Sequence, residues 1–240
     1  MKEVRYFYVP NAAIHTELPT EEATHAVRVL RLKDGDDIFL MDGEGVFYEA
    51  IVTLAYQKHC FYEIKQQMPQ SRTWKGHLHL AIAPTKDIGR IEWLVEKATE
   101  VGFDEISFLS CQFSERKVLR TDRVERIVVS AMKQSRKAWK PIVNEIVTFD
   151  QFMQRDVEGS KFICHCYNEI TKKDFFSNLN NEKCSDDITI LVGPEGDFSI
   201  DEVRQAINNN YQSVTLGNSR LRTETAGLVA VMMANLAKRI

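Results

Sequence analysis

Apolar residues fall into two rhythms along the chain. Up to about residue 70 the runs are short, close together and separated by tight turns. Arg5-Tyr6-Phe7-Tyr8-Val9 reads as a strand ended by Pro10. Thr20-Glu21-Glu22-Ala23 predicts a capped helix to about Leu30, because a threonine hydroxyl accepts a bond from an orphan N–H. Asp34-Gly35-Asp36 is a turn before the strand Ile38–Met41, and Asp42-Gly43-Glu44-Gly45 a hairpin before a strand from about Val46 to Leu54. Cys60–Ile64 is a further strand. Short strands with tight turns predict a small β-barrel over residues 1–70. Polar residues 66–75, with Pro69 and Ser71, read as a linker.

From residue 74 to 240 strand and helix patterns alternate, which predicts an α/β domain with a parallel sheet. Strands are expected at Leu78–Ala83, Ile106–Leu109, Phe162–Cys166, Ile188–Val192 and Val214–Leu216. Helices are expected at 89–101, stopped by Gly102, and at 121–138. Ser199-Ile200-Asp201-Glu202 is a capping box that starts a helix to about Asn208. The last helix starts near Thr223 as its cap, with Ala226, Val229, Met233, Leu236 and Ile240 on one face.

The C-terminal third holds two loops where a buried strand gives way to a helix. One is Gly193-Pro194-Glu195-Gly196-Asp197-Phe198, and the other runs from Leu216-Gly217 to Ala226. In open α/β sheets ligands bind at the carboxyl ends of strands. Glycine lets backbone approach a ligand, and proline stiffens the turn. No G-x-G-x-x-G and no P-loop is present, so the ordinary dinucleotide and P-loop readings are weak and a different loop arrangement is expected to hold the ligand.

Composition narrows the picture. A net charge of −3 excludes a generic polyanion binder. Between residues 115 and 140, however, nine Lys and Arg face three acidic residues, and Trp139 and Pro141 close the run. That local excess predicts an RNA or phosphate surface. Lys86 and Arg90 follow a strand end near the same rim. Five cysteines with no Cys-x-x-Cys pair predict reduced thiols, and strand alternation turns His165 away from Cys164 and Cys166, against a metal site. No apolar run is long enough for a membrane span and no apolar segment opens the chain. A cytoplasmic location is the expectation.

Gly193-Pro194-Glu195-Gly196 with Phe198-Ser199 and Glu202, then Leu216-Gly217 and Leu221-Arg222-Thr223-Glu224-Thr225-Ala226, resembles the RsmE family. These are 16S ribosomal RNA uridine-N3 methyltransferases of the SPOUT superfamily. Lys97-Ala98-Thr99-Glu100-Val101-Gly102, Gln134-Ser135-Arg136 and the His25, Val29-Leu30-Arg31, Gly35-Asp36 and Asp42-Gly43 positions extend the likeness to nearly the whole chain. The resemblance implies an N-terminal PUA-like barrel that docks RNA and a SPOUT α/β domain with a deep trefoil knot. It implies S-adenosylmethionine as cofactor, a homodimer, the small ribosomal subunit's 16S RNA as partner, and no metal.

By match of motif the cofactor would lie against Leu191, Gly193, Glu195 and Gly196 on one side. Leu216, Gly217, Ser219, Leu221, Arg222 and Thr223 would form the other, and Cys166-Tyr167-Asn168 a third wall. Uridine N3 carries a proton at neutral pH, so methylation needs that proton removed or the resulting anion stabilised. Arg222 and Glu224 are the candidate catalytic pair, and Arg5, Lys86, Arg90 and Arg136 the candidate RNA contacts. Asp197 stands where the family usually has glycine and Lys133 where it usually has glutamate; the lysine is expected to add charge to the RNA face. A second reading, motivated by these departures, is an RNA-binding assembly factor that no longer methylates.

Overall fold

The computed structural model describes residues 5–240, which divide into two compact units. Residues up to 72, together with 129–140, form the first, and 73–128 with 141–240 the second. The division cuts the basic helix, so its second half groups with the N-terminal unit.

In the first unit, β1 (Tyr6–Tyr8) is followed by α1 (Thr20–Thr24), β2 (Asp37–Met41), β3 (Val46–Tyr56) and β4 (His59–Pro69). The strands pair in that order, β1 parallel to β2 and the rest antiparallel. Phe7, Leu18, Ile38, Leu40, Val52 and Tyr62 fill the core. Two register shifts in the β3–β4 ladder mark bulges, which add twist to long strands. Because β4 pairs with β3 all the way to Pro69, the expected linker at 66–75 is in part strand. Pro19, not Thr20, holds the cap position of α1, and a π-helical turn at His25–Val29 carries the segment on to Leu30. Lys133 does not extend an RNA face: its Nζ lies 2.6 Å from Glu22 Oε1, in a pair that is mostly buried.

The second unit takes the chain order β5 (Leu78–Ile82), α2 (Ile88–Val101), β6 (Glu105–Ser110), α3 (Thr121–Ser135), β7 (Ile142–Thr148), α4 (Phe149–Met153) and β8 (Ser160–Cys164). It continues with β9 (Lys173–Asp174), α5 (Phe175–Leu179), β10 (Ile188–Val192), α6 (Ile200–Asn208), β11 (Gln212–Thr215) and α7 (Thr223–Ala237). All seven strands are parallel, in the order β7-β6-β5-β10-β8-β11-β9. Every residue of β5 and β10 is buried, as expected for strands covered on both faces. Leu80, Ile82, Ile190 and Val192 pack with Leu94 of α2 and Ala230 of α7. Ala81, Ile163 and Leu191 face Phe152 of α4 and Val203 of α6.

Helix α7 buries a different stripe from the one its large residues predict. Gly227, Ala230, Val231 and Ala234 are buried, while Leu236 and Ile240 are exposed. A Cβ on Gly227 would stand 2.9 Å from Ile82 Cδ1 and 3.1 Å from Leu94 Cδ2, so the small residues are what let the helix lie close on the sheet. Arg222, rather than Thr223, holds the cap position, and no side chain caps the helix. The residue pattern predicts no strand at β7, since its residues are half-buried or exposed and form no buried apolar run. Its neighbour α4 starts on a capping box between Thr148 and Gln151.

A polar cluster spans β5 and β6. His77 Nε2 lies 2.8 Å from Glu105 Oε2, and buried His79 has Nε2 2.9 Å from Ser107 Oγ. The bond to His77 holds Glu105 down to about 2, and burial pushes His79 down to about 4. A histidine lowered in the folded state takes its proton first when unfolded, so His79 costs stability as pH falls from about 6.5 towards 4. His79→Gln should therefore lose less stability than the wild type between about pH 6.5 and 4.5, by about 2 kcal/mol, in urea titrations at each pH. Equal slopes in the two proteins would remove this role.

Candidate functional site

The loops after β8, β10 and β11 open at the carboxyl end of the sheet and enclose a cavity of about 970 Å³. That is at the upper end of the range for small-molecule sites, roughly 300–1,000 Å³. Its floor is apolar, from Cys164, Val192, Val214 and Leu216. These residues share the sheet face covered by α2 and α7.

Of the residues expected at a ligand, Gly193, Glu195, Leu216, Gly217, Ser219, Leu221, Arg222 and Thr223 line this cavity together. Leu191 does not, because strand alternation turns its side chain into the opposite core beside Ala81 and Phe198. Gly196 does not either. Its missing Cβ would stand 3.2 Å from Phe113 Cβ, so the glycine serves close packing against the loop after β6. Gly193 is held by the same logic, with Phe198 N 2.9 Å from the Cβ position. Gly217 has φ +124° and open space around it, and Thr215 Oγ1 braces it by donating to its carbonyl at 2.8 Å.

Three carboxylates of the β10–α6 segment accept backbone N–H groups from three neighbouring loops. Glu195 Oε1 accepts from Lys86 at 2.9 Å, Glu202 Oε1 from Gln112 at 2.8 Å, and Asp197 Oδ2 from Cys166 at 2.7 Å. These loops follow β5, β6 and β8 respectively. Asp197 has φ +69°, the left-handed region that favours glycine.

Arg222 is exposed on the cavity wall at the start of α7. Glu224, in the first turn of the same helix, is only 7% exposed, and its Oε2 has no hydrogen-bond partner among the described residues. Glu22 and Glu92 also carry a buried carboxylate oxygen without a hydrogen-bond partner among the described residues, and Glu224 is not among the residues that line the cavity. Arg90 also lines the cavity and lies 3.8 Å from Asp87, whereas Lys86 is exposed and paired with Glu115 at 2.7 Å. In the other unit, Arg136 holds its guanidinium over Tyr6 at 5.5 Å with φ +55°, and Arg5 is half-buried just before β1. Cation stacking of this kind leaves guanidinium donors free for phosphate.

Of the expected third wall Cys166 and Asn168 line the cavity and Tyr167 does not, and the wall reaches on to Ile170, Thr171 and Lys172, which the sequence does not signal. Those positions carry no motif; only the closeness of β8 and β11 in the sheet brings them in. His165 is buried with neither ring nitrogen hydrogen-bonded among the described residues, and burial pushes it below its ordinary value. Among the described residues no group of three or more His, Cys, Asp or Glu could hold a metal ion. Nor is any helix among them long and apolar enough to cross a membrane.

The profile of a family described as an RNA methyltransferase domain matches residues 72–235, and one described as an RNA methyltransferase PUA domain matches 18–61. A crystal structure described as a probable rRNA-methyltransferase from Porphyromonas gingivalis is 37% identical, with a TM-score of 0.89 over 98% of each chain. The ribosomal RNA small subunit methyltransferase E from Neisseria gonorrhoeae, solved bound to S-adenosyl methionine, is 26% identical, with a TM-score of 0.82 over 95% of each chain. A curated relative from Rickettsia conorii, also a ribosomal RNA small subunit methyltransferase E, is 27% identical over 92% of this chain and 89% of its own length.

Proposed function

The chain belongs to the RNA methyltransferase family, and we propose that it transfers a methyl group from S-adenosylmethionine to N3 of a uridine in small-subunit ribosomal RNA. The observation that carries this reading is the cavity itself, walled by three loops at one end of a parallel sheet, with Arg222 and Thr223 on its wall; Glu224, buried in the same first turn of α7, does not itself line it. Val192, Val214 and Leu216 offer apolar cover, and the backbone at Gly193 and Gly217 can approach the edges of an adenosyl group. Those residues fit the cofactor, which when bound supplies an activated methyl on a sulfonium.

The acceptor edge of uridine is the one it uses in base pairing, so the base must be unpaired or flipped out to enter. Arg222 would hold a fixed positive charge beside the uracil oxygens as N3 loses its proton. Glu224, already buried and with one oxygen uncommitted, would take that proton or fix Arg222 in place. The positive end of the α7 backbone favours the same developing anion.

Arg5 and Arg136 in the N-terminal unit, and Lys86 and Arg90 beside the cavity, are the proposed RNA contacts. The position of β10 between β5 and β8, reached late in the chain, supports the trefoil knot that the resemblance implies. Met232 and Leu236, 42% and 50% exposed on α7, support a homodimer pairing along that helix. A ribosomal RNA substrate goes with a cytoplasmic location.

Mass spectrometry of small-subunit ribosomal RNA, from cells with and without the gene, tests the reaction. One 3-methyluridine should disappear, and unchanged RNA would favour the assembly-factor reading instead. Arg222→Ala should lower kcat about a hundredfold, a loss larger than any it causes in S-adenosylmethionine affinity by calorimetry. Gly217→Val forces a β-branched residue into a positive φ and should weaken cofactor binding at least tenfold by calorimetry, with the fold retained. Arg136→Glu should weaken RNA binding in filter assays and leave cofactor affinity untouched; equal loss of both would make that arginine structural.

A further inference from the structure

Asp197 is a non-glycine residue at φ +69° whose side chain is fully engaged. Oδ1 accepts the N–H of Phe198 at 2.8 Å, and its own N–H donates to the Pro194 carbonyl at 2.9 Å. These two bonds are local and close the turn, which is how aspartate tolerates a backbone that glycine enters freely. The third bond is of another kind. Oδ2 accepts the N–H of Cys166 at 2.7 Å, thirty-one positions back in the chain. It ties the loop after β10 to the loop after β8, and both loops line the cavity. Tyr167 Oη reinforces the tie by donating to the Phe198 carbonyl at 2.8 Å.

We infer that Asp197 is a positioning residue that sets the spacing of two cavity walls, and through it the affinity for the adenosyl ligand, without acting on the transferred methyl. The inference rests on reading the cavity as the S-adenosylmethionine site. Glycine at this position would keep the turn and release the β8 wall. Asparagine would keep the turn and an acceptor but remove the charge that makes the bond strong.

Cys166 reports on the clamp. The residue is exposed overall, but partial desolvation of its thiol first, then the Asp197 charge and hydrogen bond, push it above the ordinary thiol range. Arg220 and Lys172 pull the other way. Loss of the aspartate charge therefore raises the thiolate fraction near neutral pH, and the thiolate is the reactive form.

The test compares wild type, Asp197→Gly and Asp197→Asn by two measurements. Calorimetry with S-adenosylmethionine gives affinity, and iodoacetamide labelling of Cys166 between about pH 7 and 9, read by peptide mass spectrometry, gives thiol reactivity. Affinity should fall about tenfold in Asp197→Gly and less in Asp197→Asn, with kcat at saturating cofactor held within about twofold. Cys166 should label about threefold faster in both variants, and its pH midpoint should move down in Asp197→Asn. Wild-type affinity together with wild-type labelling in both variants would overturn the inference, as would a fall in kcat with affinity unchanged. Asp197→Asn decides the matter if the glycine variant folds poorly. No saturable heat from the wild type would overturn the cofactor reading, whereas the labelling comparison bears on the clamp with no cofactor present.

Discussion

Three carboxylate-to-backbone bonds from one segment hold the cavity in shape. Glu195, Asp197 and Glu202 each take an N–H from a different loop, so the turn after β10 acts as the hub to which the loops after β5, β6 and β8 are fastened. Hydrogen bonds with an ionised acceptor are shorter and stronger than neutral ones. They also engage loop N–H groups that lie beyond the sheet ladder. The hub is central because β10 is central: it is wholly buried and paired on both edges, to β5 and to β8.

The second constraint is the close approach of α7. Small residues on its buried stripe bring it onto β5 and α2, with no room for a side chain at Gly227. The start of that helix then falls at the cavity, with Arg222, Thr223 and Ala226 on the wall and Glu224 buried behind them. A helix held further out by large side chains would carry these groups away from the loops after β10 and β11. Packing at one end of α7 and chemistry at the other are thus one geometric fact.

Much of this was legible in the residues. The apolar runs of β5 and β10 and the capping box of α6 read correctly, because each rests on local chemistry. The stripe on α7 did not, since periodicity weighs large side chains while the contact is made by small ones. β7 escaped because an edge strand of half-buried residues has no run to see. Lys133 looked like a surface charge until the fold supplied Glu22 as its partner. That the Leu191 side chain turns away from the cavity follows from strand alternation alone, whereas the wall at Lys172 required the strand order. Asp197 read as an unexplained departure because neither a φ angle nor a bond across thirty-one positions is visible in a string of letters.

Each clamp of the hub ends on main chain at Lys86, Gln112 and Cys166. Main-chain donors are the same whatever residue carries them, proline alone excepted. The receiving loops could therefore carry any residue but proline at these three positions and still be fastened by the three acidic side chains of this chain. The side chains those loops present and the frame that holds them are separable in such a design, the frame resting here on three carboxylates.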